Sequence, residues 1–359
     1  MHTIAPDDIV RSFAEAEGRG RVPLLVTEPL ERFLDEWGLG AGPVAVLPIG
    51  EGHSNVTYLI TRGEWEAVLR RPPRPPLPPS AHDVLREARV LRGLEGSGVP
   101  VPRVLATCSD ESLLGVPFYV MEFLDGVPMT SSTPPGLRDP AHRAAMAQRM
   151  ITALATLHGV DFEACGLGDL GRPEGYLERQ VRRFAGLWER GRTRDLPELD
   201  EVTAWLQEHL PESGAPSLVH GDFRIGNLLF CTAPPVRLLG IVDWEMATLG
   251  DPLADVGYLC AHLAERGDPG TVMTELQPVT REEGFPDGAA LASRYAELTG
   301  RSVEHLGWYR VLAVWKSAIF LEQSYARYLA GNETDPWFAE MADGVPGLVA
   351  RARREAGLG

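Results

Sequence analysis

The pattern of apolar and polar positions divides the chain into a strand-rich part and a helix-rich part. Helical periodicity predicts an amphipathic helix at 28–39. Apolar runs then predict strands at 44–49, 56–60 and 66–71, a helix at 82–95, and strands at 99–105 and 118–126. Beyond Gly126 the pattern is mostly helical, and it predicts helices at 139–159, 173–190, 198–210, 252–266, 287–299 and 305–330.

This order of elements predicts an α+β fold with two lobes. We expect an N-terminal extension over residues 1–27 and a smaller lobe over 28–125, with an antiparallel sheet and one main helix. A larger, mostly helical lobe is expected over 126–359. A chain of 359 residues is long enough to bury two cores, so its length agrees with this division.

Composition and charge exclude several kinds of partner. Lys and Arg total 34 against 50 Asp and Glu, which gives a formal net charge of −16. Since this field repels polyanions, we expect neither nucleic acid nor an anionic membrane surface as a partner. No apolar run approaches a membrane span, and no secretory pattern begins the chain, so we expect a cytoplasmic protein. Four scattered cysteines are expected to be free thiols: Cys108, Cys165, Cys231 and Cys260.

A proline-rich segment at 72–79 follows the third predicted strand. Such a segment is either a stiff loop that joins the strand to the next helix or a polyproline ligand for an aromatic-lined groove. We favour the loop, because predicted elements lie directly on both sides of it.

The segment Leu218–Asn227 and the later Gly240–Glu245 carry the most specific pattern of the chain. Asp222 is followed five residues later by Asn227 and, sixteen residues beyond that, by Asp243 at the end of an apolar run. Phosphoryl transfer needs a carboxylate that orients the attacking hydroxyl and oxygen ligands that hold Mg²⁺. The spacing is that of a kinase catalytic loop. We therefore interpret Asp222 as the base, and Asn227 and Asp243 as Mg²⁺ ligands.

Other residues near this pattern have supporting roles in the prediction. His220 is expected to orient the loop through hydrogen bonds, and Arg224 to neutralise charge near Asp222 or to bind substrate. Trp244 stands where protein kinases have the Phe of a mobile switch, so we expect a permanently formed site. Asp251 and Asp255 are expected to be structural residues of a turn and helix N-terminus.

A glycine-containing turn between the first two strands is the candidate phosphate-covering loop. Gly50 and Gly52 permit positive φ and a close approach of backbone N–H groups to phosphate oxygens. Ser54 and Asn55 add side-chain donors. A Gly-x-Gly between strands is also common in simple hairpins. Its place ahead of the other motifs favours the interpretation as a phosphate-covering loop.

The third strand supplies the candidate cation for the phosphates. Because side chains two apart share a strand face, Val68 and Arg70 point one way and Arg71 the other. We interpret Val68 as an adenine-side wall and Arg70 as the phosphate-binding cation, with Glu87 of the next helix as its bracing carboxylate. The alternative is that Arg70 and Arg71 are ordinary charges of an edge strand.

The last strand of the smaller lobe provides the predicted contacts to the adenine edge. Met121 occupies a gatekeeper-like position, and the backbones of Glu122 and Phe123 are expected to hydrogen-bond the base. Together with Arg70 and the glycine turn, these residues form the predicted ATP site.

His-Gly-Asp222-Phe-Arg-Ile-Gly-Asn227 and Ile-Val-Asp243-Trp-Glu resemble the aminoglycoside phosphotransferase-like family of small-molecule kinases, which includes choline kinase types. Val68-Leu-Arg-Arg-Pro-Pro and Leu157-His-Gly-Val-Asp161 resemble the branch that is fused to, or encoded near, acyl-CoA dehydrogenases. The resemblance covers residues 30 to 335 and implies a bilobal protein kinase-like fold. We expect His158 to end a helix beside a capping Asp161.

The resemblance implies an ATP- and Mg²⁺-dependent phosphotransferase whose acceptor is a hydroxyl of a small molecule. A hydroxyacyl-CoA or hydroxy acid is one acceptor, and an aminoglycoside or other cationic amino-alcohol is the rival. The late helix at 305–330, rich in aromatics and positive charge, favours an apolar, anionic acceptor if it lines the site. A nucleotide-binding pseudokinase is the alternative of another class, supported by Arg70 in place of the usual Lys. The sequence predicts no particular oligomeric state.

Overall fold

The computed structural model describes residues 8–17, 21–50, 55–75 and 82–359. These residues form two compact units. The first contains the described residues up to Glu95 and the segment Val101–Leu124. The second contains Gly96–Pro100 and Asp125–Gly359, so the short segment before Val101 belongs to the second unit and not, as expected, to the first.

The first unit is built around a five-stranded antiparallel sheet. Its strands, in their order across the sheet, are Ala45–Pro48 (β3), Val56–Arg62 (β4), Trp65–Arg71 (β5), Phe118–Glu122 (β7) and Val104–Cys108 (β6). The order of three strands, a helix and two strands agrees with the prediction. Its elements are β1 (Ile9–Val10), α1 (Phe13–Ala16), β2 (Leu25–Val26), α2 (Thr27–Glu36), β3 (Ala45–Pro48), β4 (Val56–Arg62), β5 (Trp65–Arg71), α3 (Val84–Leu94), β6 (Val104–Cys108), α4 (Glu111–Leu114) and β7 (Phe118–Glu122).

One face of this sheet forms the core of the first unit. Alternate residues of β4 and β5, among them Tyr58 and Leu69, pack in one apolar cluster with Phe33 of α2. Leu24 and Leu25 belong to the same cluster and are buried. The described part of the predicted N-terminal extension therefore completes this core and is not an appendage.

Arg71 lies on the core face of β5 and is 1% exposed. Its guanidinium donates hydrogen bonds to the carbonyls of Pro72 (2.9 Å) and Leu114 (3.2 Å), and also to that of Leu24. Burial lowers the pKa of Arg71 to about 10. The alternative interpretation of an ordinary edge-strand charge is wrong for this residue, because β5 is an interior strand and Arg71 links it to Leu24, directly before β2, and to α4.

The second unit is mostly helical, with short strands that carry the loops between them. The six helices predicted beyond Gly126 are present within a few residues. The elements are β8 (Val127–Pro128), α5 (Pro140–His158), α6 (Tyr176–Gly191), α7 (Pro197–Glu208), β9 (Ser217–Val219), β10 (Leu228–Phe230), β11 (Leu238–Ile241), β12 (Thr248–Gly250), α8 (Leu253–His262), α9 (Gly288–Thr299), α10 (Leu306–Leu329) and α11 (Met341–Ala356).

Helix α10 is the centre of the second core. Its Trp308 and Trp315 are buried in one cluster with Trp188 of α6 and with apolar residues of α7 and α11. The aromatic residues of α10 are thus largely core residues. They do not support the expectation that this helix offers an apolar wall to a substrate.

Two expectations from composition concern features outside the site. Within the described residues, no helix is long and apolar enough to cross a membrane. The four cysteines are free thiols, of which Cys165 is partly exposed and the others are buried.

Candidate active site

The backbone of the catalytic loop begins where β9 ends and requires glycine at its second position. β9 pairs with β12 in the register Val219 to Thr248. Gly221 has φ +85°, and a Cβ built there lies 2.7 Å from the carbonyl oxygen of Met246. A side chain at this position would face both a disfavoured backbone conformation and a steric clash. This explains why glycine stands where protein kinases have arginine.

The carboxylate of Asp255 in α8 holds this loop through two hydrogen bonds. Its Oδ2 accepts the backbone N–H of His220 (2.7 Å) and its Oδ1 accepts that of Gly221 (2.8 Å). The carboxylate is 1% exposed, yet its pKa lies below the usual value. Burial alone would raise this pKa, but the hydrogen bond and charge of His158 and the contacts with His220 outweigh it. Asp255 is structural, as expected, but its partners are in the catalytic loop.

His158 belongs to the same buried network. Its Nε2 lies 3.2 Å from Asp255 Oδ2, and its Nδ1 lies 2.8 Å from the hydroxyl of Tyr295. As expected, α5 ends at His158, and Asp161 acts as a capping residue, because it accepts the N–H of Ala164 (3.0 Å). Asp251 has the predicted structural role in the turn before α8, since it accepts the N–H of Leu253.

His220 is fully buried and spans the loop with both ring nitrogens. Nδ1 accepts the backbone N–H of Asp222 (3.2 Å), and Nε2 lies 3.0 Å from the carbonyl of Val242. These partners place the ring proton on Nε2, as in a neutral imidazole. The bonds are those of an orienting residue, and the catalytic importance of His220 stays a prediction.

Asp222 and Asn227 are joined directly. The amide nitrogen of Asn227 donates to Oδ2 and to the backbone carbonyl of Asp222, both at 2.8 Å. Since the nitrogen is used in this way, the amide oxygen is the atom that suits a cation. The Val242 N–H donates to the carbonyl of Asn227 (2.9 Å). Since Asp243 directly follows Val242, this hydrogen bond holds Asp243 near Asn227 in space.

Asp243 adopts a left-handed backbone conformation, with φ +70°. A non-glycine residue in this region is uncommon, and such residues cluster at functional sites. The next residue, Trp244, is fully buried. Its Nε1 donates to the carbonyl of Ile241 (2.9 Å), and its ring centroid lies 4.6 Å from that of His220. These contacts hold the segment that is a mobile switch in protein kinases, and the expectation of a permanently formed site stays a prediction.

Arg224 lies beside the candidate base, with Nε 3.5 Å from Asp222 Oδ1. Burial would lower the pKa of Arg224, but the negative charges of Asp222 and Asp243 and the nearby Tyr258 give a net rise. Burial raises the pKa of Tyr258 well above its usual value, and the charge of Asp222 raises it further.

The sequence reasoning missed Tyr258. The available signal was its spacing, because residues three apart on a helix share a face, and Tyr258 follows Asp255 by three positions on α8. With Asp255 recognised as a support of the catalytic loop, Tyr258 would have been placed near Asp222.

The oxygen atoms of Asn227 and Asp243 suit a magnesium ion, which needs few protein ligands. They are too few to hold a metal ion whose ligands all come from the protein. In the part of the chain that the structure describes, no group of three or more His, Cys, Asp or Glu side chains could hold a metal. Mg²⁺ takes hard oxygen ligands and is commonly held by one or two carboxylates together with substrate phosphates and water. The donor set therefore fits the predicted ion.

In the first unit, the predicted pair of Arg70 and Glu87 is present. Arg70 Nε lies 2.9 Å from Glu87 Oε2, and its Nη1 lies 3.4 Å from the Thr57 hydroxyl. The side chains of Arg70 and Glu87 are 13% and 1% exposed. Glu87 projects from α3, so α3 covers the sheet face opposite the core cluster.

Val68 and Met121 are register partners on β5 and β7, and both are buried. Phe123 follows β7 and is half-buried. The backbone N–H of Glu122 donates to the carbonyl of Arg103 (2.8 Å). Because this N–H is already paired, the carbonyl of Glu122 is the part of its backbone that stays a candidate for the predicted adenine contact.

The glycine turn is described only in part. Gly50 has φ +83°, as its predicted role requires, and the Ile49 N–H donates to the Thr57 carbonyl at the end of the hairpin (3.0 Å). Asn55 is buried, and its Oδ1 lies 3.2 Å from His82 Nδ1. The predicted phosphate-loop residues Gly52 and Ser54 lie outside the described residues, as do residues 76–79 of the proline-rich segment.

The chain is similar in sequence and in structure to known proteins. Acyl-CoA dehydrogenase family member 10 of Mus musculus is 36% identical over 293 residues, which are 81% of this chain and 27% of that protein. The chain thus spans only about a quarter of this relative's length. A Ralstonia eutropha protein provisionally assigned as an aminoglycoside phosphotransferase has a crystal structure with 31% identity and a TM-score of 0.78, covering 92% of this chain and 98% of that one.

The fold also occurs in more distant enzymes. A thermostable mutant of the aminoglycoside phosphotransferase APH(4)-Ia, solved with AMP-PNP and hygromycin B, has a TM-score of 0.60 at 18% identity, covering 91% of this chain and 98% of that one. The predicted α+β, protein kinase-like fold and the resemblance to this family and to the acyl-CoA dehydrogenase branch are confirmed. The model of the phosphotransferase enzyme family matches residues 45–287, and the chain therefore belongs to that family.

Proposed function

We propose that the protein is an ATP- and Mg²⁺-dependent kinase that transfers the γ-phosphoryl group to a hydroxyl of a small molecule. The observation that carries this proposal is the hydrogen-bonded pair of Asp222 and Asn227, with Asp243 held close to it through Val242. The solved relative with bound AMP-PNP supports the choice of an adenine nucleotide.

Asp222 would orient the acceptor hydroxyl and take its proton. The hydroxyl oxygen forms a bond to the γ-phosphorus while the bond from that phosphorus to the β-phosphate oxygen breaks, and ADP leaves. Asn227 fixes Oδ2 of Asp222, and Arg224 lies near Oδ1, so the carboxylate has one defined orientation. Bound Mg²⁺, held by Asn227 and Asp243, would neutralise charge on the phosphates.

In the first unit, Arg70 would bind the phosphates. Glu87 holds the guanidinium group through Nε, and this group would supply the positive charge and the N–H donors for phosphate oxygens. Gly50 would bring backbone N–H groups close to the phosphates. Val68 and Met121 would form apolar walls for adenine, with the carbonyl of Glu122 and the backbone of Phe123 at its edge.

For the acceptor, we propose a hydroxyacyl-CoA or a hydroxy acid. The mouse relative supports this choice, because its name connects the same kind of domain with acyl-CoA chemistry. An aminoglycoside or other cationic amino-alcohol is the second candidate, supported by the Ralstonia protein and by the chain's net charge of −16. A pseudokinase would keep nucleotide binding without transfer.

The test is ADP release from Mg²⁺-ATP with a panel of hydroxyacyl-CoAs, hydroxy acids, aminoglycosides and choline-like alcohols. We expect acceptor-dependent release that Asp222→Asn abolishes. The exposed Asp195→Asn, in the loop before α7, is the matched control and should keep full activity. Nucleotide binding without transfer to any acceptor would favour the pseudokinase. Absence of nucleotide binding would contradict the proposal.

A further inference from the structure

Tyr258 is a half-buried residue of α8 that has no part in the phosphoryl transfer described so far. Its side chain forms a hydrogen bond with Asp222, the candidate base. An ionised carboxylate can only accept hydrogen bonds, so the phenol hydroxyl of Tyr258 is the donor. The candidate base is therefore in contact with a helix that lies outside its own loop.

Tyr258 shares a face of α8 with Asp255, which precedes it by three positions. The Asp255 carboxylate accepts the backbone N–H groups of His220 (2.7 Å) and Gly221 (2.8 Å). One face of α8 thus contacts the catalytic loop twice, first at its backbone and, one turn later, at the side chain of Asp222. This arrangement keeps the Tyr258 hydroxyl and the Asp222 carboxylate at a constant separation.

Helix α8 is itself packed closely on α10 on both sides of Tyr258. A Cβ built at Gly257 would lie 2.5 Å from Cβ of Tyr309, so the two helices touch at this glycine. Near the end of α8, Nε2 of His262 lies 3.0 Å from the hydroxyl of Ser317. Because α8 is held at these two positions, Tyr258 projects from a fixed part of the second unit.

The ring of Tyr258 is also in contact with His262. The two ring centroids are 4.2 Å apart, and Nδ1 of His262 lies 2.8 Å from the backbone carbonyl of Tyr258. Burial lowers the pKa of His262 to about 3, so this imidazole is neutral at physiological pH. A neutral ring restrains the phenol by packing and places no charge beside it.

The three groups around the Asp222 carboxylate differ in chemistry. Asn227 donates its amide N–H to Oδ2 (2.8 Å), whereas Arg224 Nε lies 3.5 Å from Oδ1, beyond the usual length of an N–H···O bond. Arg224 therefore contributes mainly charge. Tyr258 adds a neutral donor, and burial raises its pKa well above the usual value, so the hydroxyl keeps its proton.

We infer that Tyr258 is a positioning residue, whose hydroxyl holds the Asp222 carboxylate in the orientation that directs the acceptor hydroxyl. The inference rests on the proposed function and adds a residue to the same site. Asn227 belongs to the catalytic loop and Tyr258 to α8, so donors from two separate elements oppose rotation of the carboxylate. Transfer to a hydroxyl depends on such orientation, and a small misplacement slows it strongly.

The first experiment compares the kinetics of Tyr258→Phe, which keeps the ring and removes the hydroxyl, with those of the wild type. The acceptor is the most active alcohol of the panel described above. Tyr325→Phe is the matched control, because it removes a hydroxyl from α10, where the ring contacts Arg194. We measure kcat, KM for Mg²⁺-ATP, Tm and the ratio of phosphorylated acceptor to ADP.

We expect kcat of Tyr258→Phe to fall about tenfold or more, with KM for Mg²⁺-ATP and Tm close to the wild-type values. The ratio of phosphorylated acceptor to ADP should also fall. A carboxylate that is free to rotate slows transfer to the acceptor more than hydrolysis by water, which can approach from several directions. Tyr325→Phe should match the wild type in all four quantities.

The second experiment needs neither acceptor nor turnover. In protein labelled with ¹³C at the tyrosine Cζ, the signal that Tyr258→Phe removes belongs to Tyr258. Since this carbon reports the hydrogen bond of the hydroxyl, its resonance should shift in Asp222→Asn. Tyr325 supplies the control signal and should not shift.

Three results would overturn the inference: wild-type kcat and product ratio in Tyr258→Phe, an unchanged Tyr258 resonance in Asp222→Asn, or a lower kcat that comes with a lower Tm and an unchanged product ratio. The last result would assign Tyr258 a structural role only. Absence of transfer by the wild type to every alcohol would contradict the proposed function and, with it, the purpose of the contact. Normal transfer by Tyr258→Phe would contradict this inference alone.

Discussion

Arg70 Nε and Glu87 Oε2 are 2.9 Å apart, although one residue belongs to an interior strand and the other to the helix α3. Glu87 is almost completely buried, so its carboxylate is stabilised by this contact and not by water. The pair restrains the position of the guanidinium group. An arginine in this position therefore has less freedom than its length suggests.

Glu87→Gln should loosen Arg70 and weaken nucleotide binding. Loss of the charged partner of a buried guanidinium should lower the free energy of unfolding by about 1–3 kcal/mol, and KM for Mg²⁺-ATP should rise. Urea unfolding and steady-state kinetics measure the two effects. Glu66→Gln, at an exposed position of β5, the strand that carries Arg70, is the control and should change neither quantity. An unchanged KM in Glu87→Gln would contradict the bracing role.

Gly221→Ala should damage the catalytic loop. The substitution combines a positive φ with a clash against the carbonyl of Met246, and the strain should cost about 1–3 kcal/mol or distort the position of Asp222. We expect the proportional decrease in kcat to be larger than the proportional decrease in the free energy of unfolding. Gly214→Ala is the matched control, because a Cβ there meets no atom within 4 Å. Equal kcat for both variants would show that the loop does not depend on this glycine.

Asp255→Asn should uncouple the catalytic loop from α8 in a pH-dependent way. The folded-state pKa of Asp255 lies below its usual value, so its stabilising effect is fully present above the unfolded value of about 3.9 and is lost as pH falls below that. The wild type should be about 2–4 kcal/mol more stable than the variant at pH 7. This difference should shrink below pH 4 in guanidinium unfolding at a series of pH values. A difference that is constant with pH would contradict the charged role of Asp255.

Lys316→Met should stabilise the protein near neutral pH. The pKa of Lys316 is lowered to about 8, which means that folding disfavours its charged form. This penalty is fully present below pH 8 and disappears as pH rises toward the unfolded value of about 10.4. Because the side chain is half-buried, we expect a gain of about 1–2 kcal/mol at pH 7. Thermal unfolding at pH 7 and pH 10 should show the gain at the lower pH only.

The sequence predicted the parts of the structure that depend on local pattern. The six helices beyond Gly126 and the order of elements along the first unit follow from periodicity, and the contact of Arg70 with Glu87 follows from the kinase pattern. The last helix, α11, was not predicted because it contains Gly344, Pro346 and Gly347, which locally oppose helix formation. Its apolar face packs on α10, and this tertiary contact outweighs the local preference.

Contacts between distant parts of the chain could not be read from spacing. Asp255 reaches the catalytic loop 34 residues earlier, and no local motif announces that reach. The alternation along the strand placed Arg71 on the face opposite to Arg70, but it did not show what Arg71 contacts there. Its burial depends on the carbonyls of Leu24 and Leu114, which only the fold brings to it. In both cases a buried charge is satisfied by groups that are far away in sequence.

The most direct test of the central claim is a single-turnover reaction with γ-labelled Mg²⁺-ATP and a hydroxyacyl-CoA, with the product identified by mass spectrometry. We expect one labelled phosphoryl group on the acceptor hydroxyl with wild-type protein, and none with Asp222→Asn, although both proteins bind the nucleotide. Label found only as inorganic phosphate, or equal transfer by Asp222→Asn, would contradict the assignment of Asp222 as the group that directs the acceptor hydroxyl.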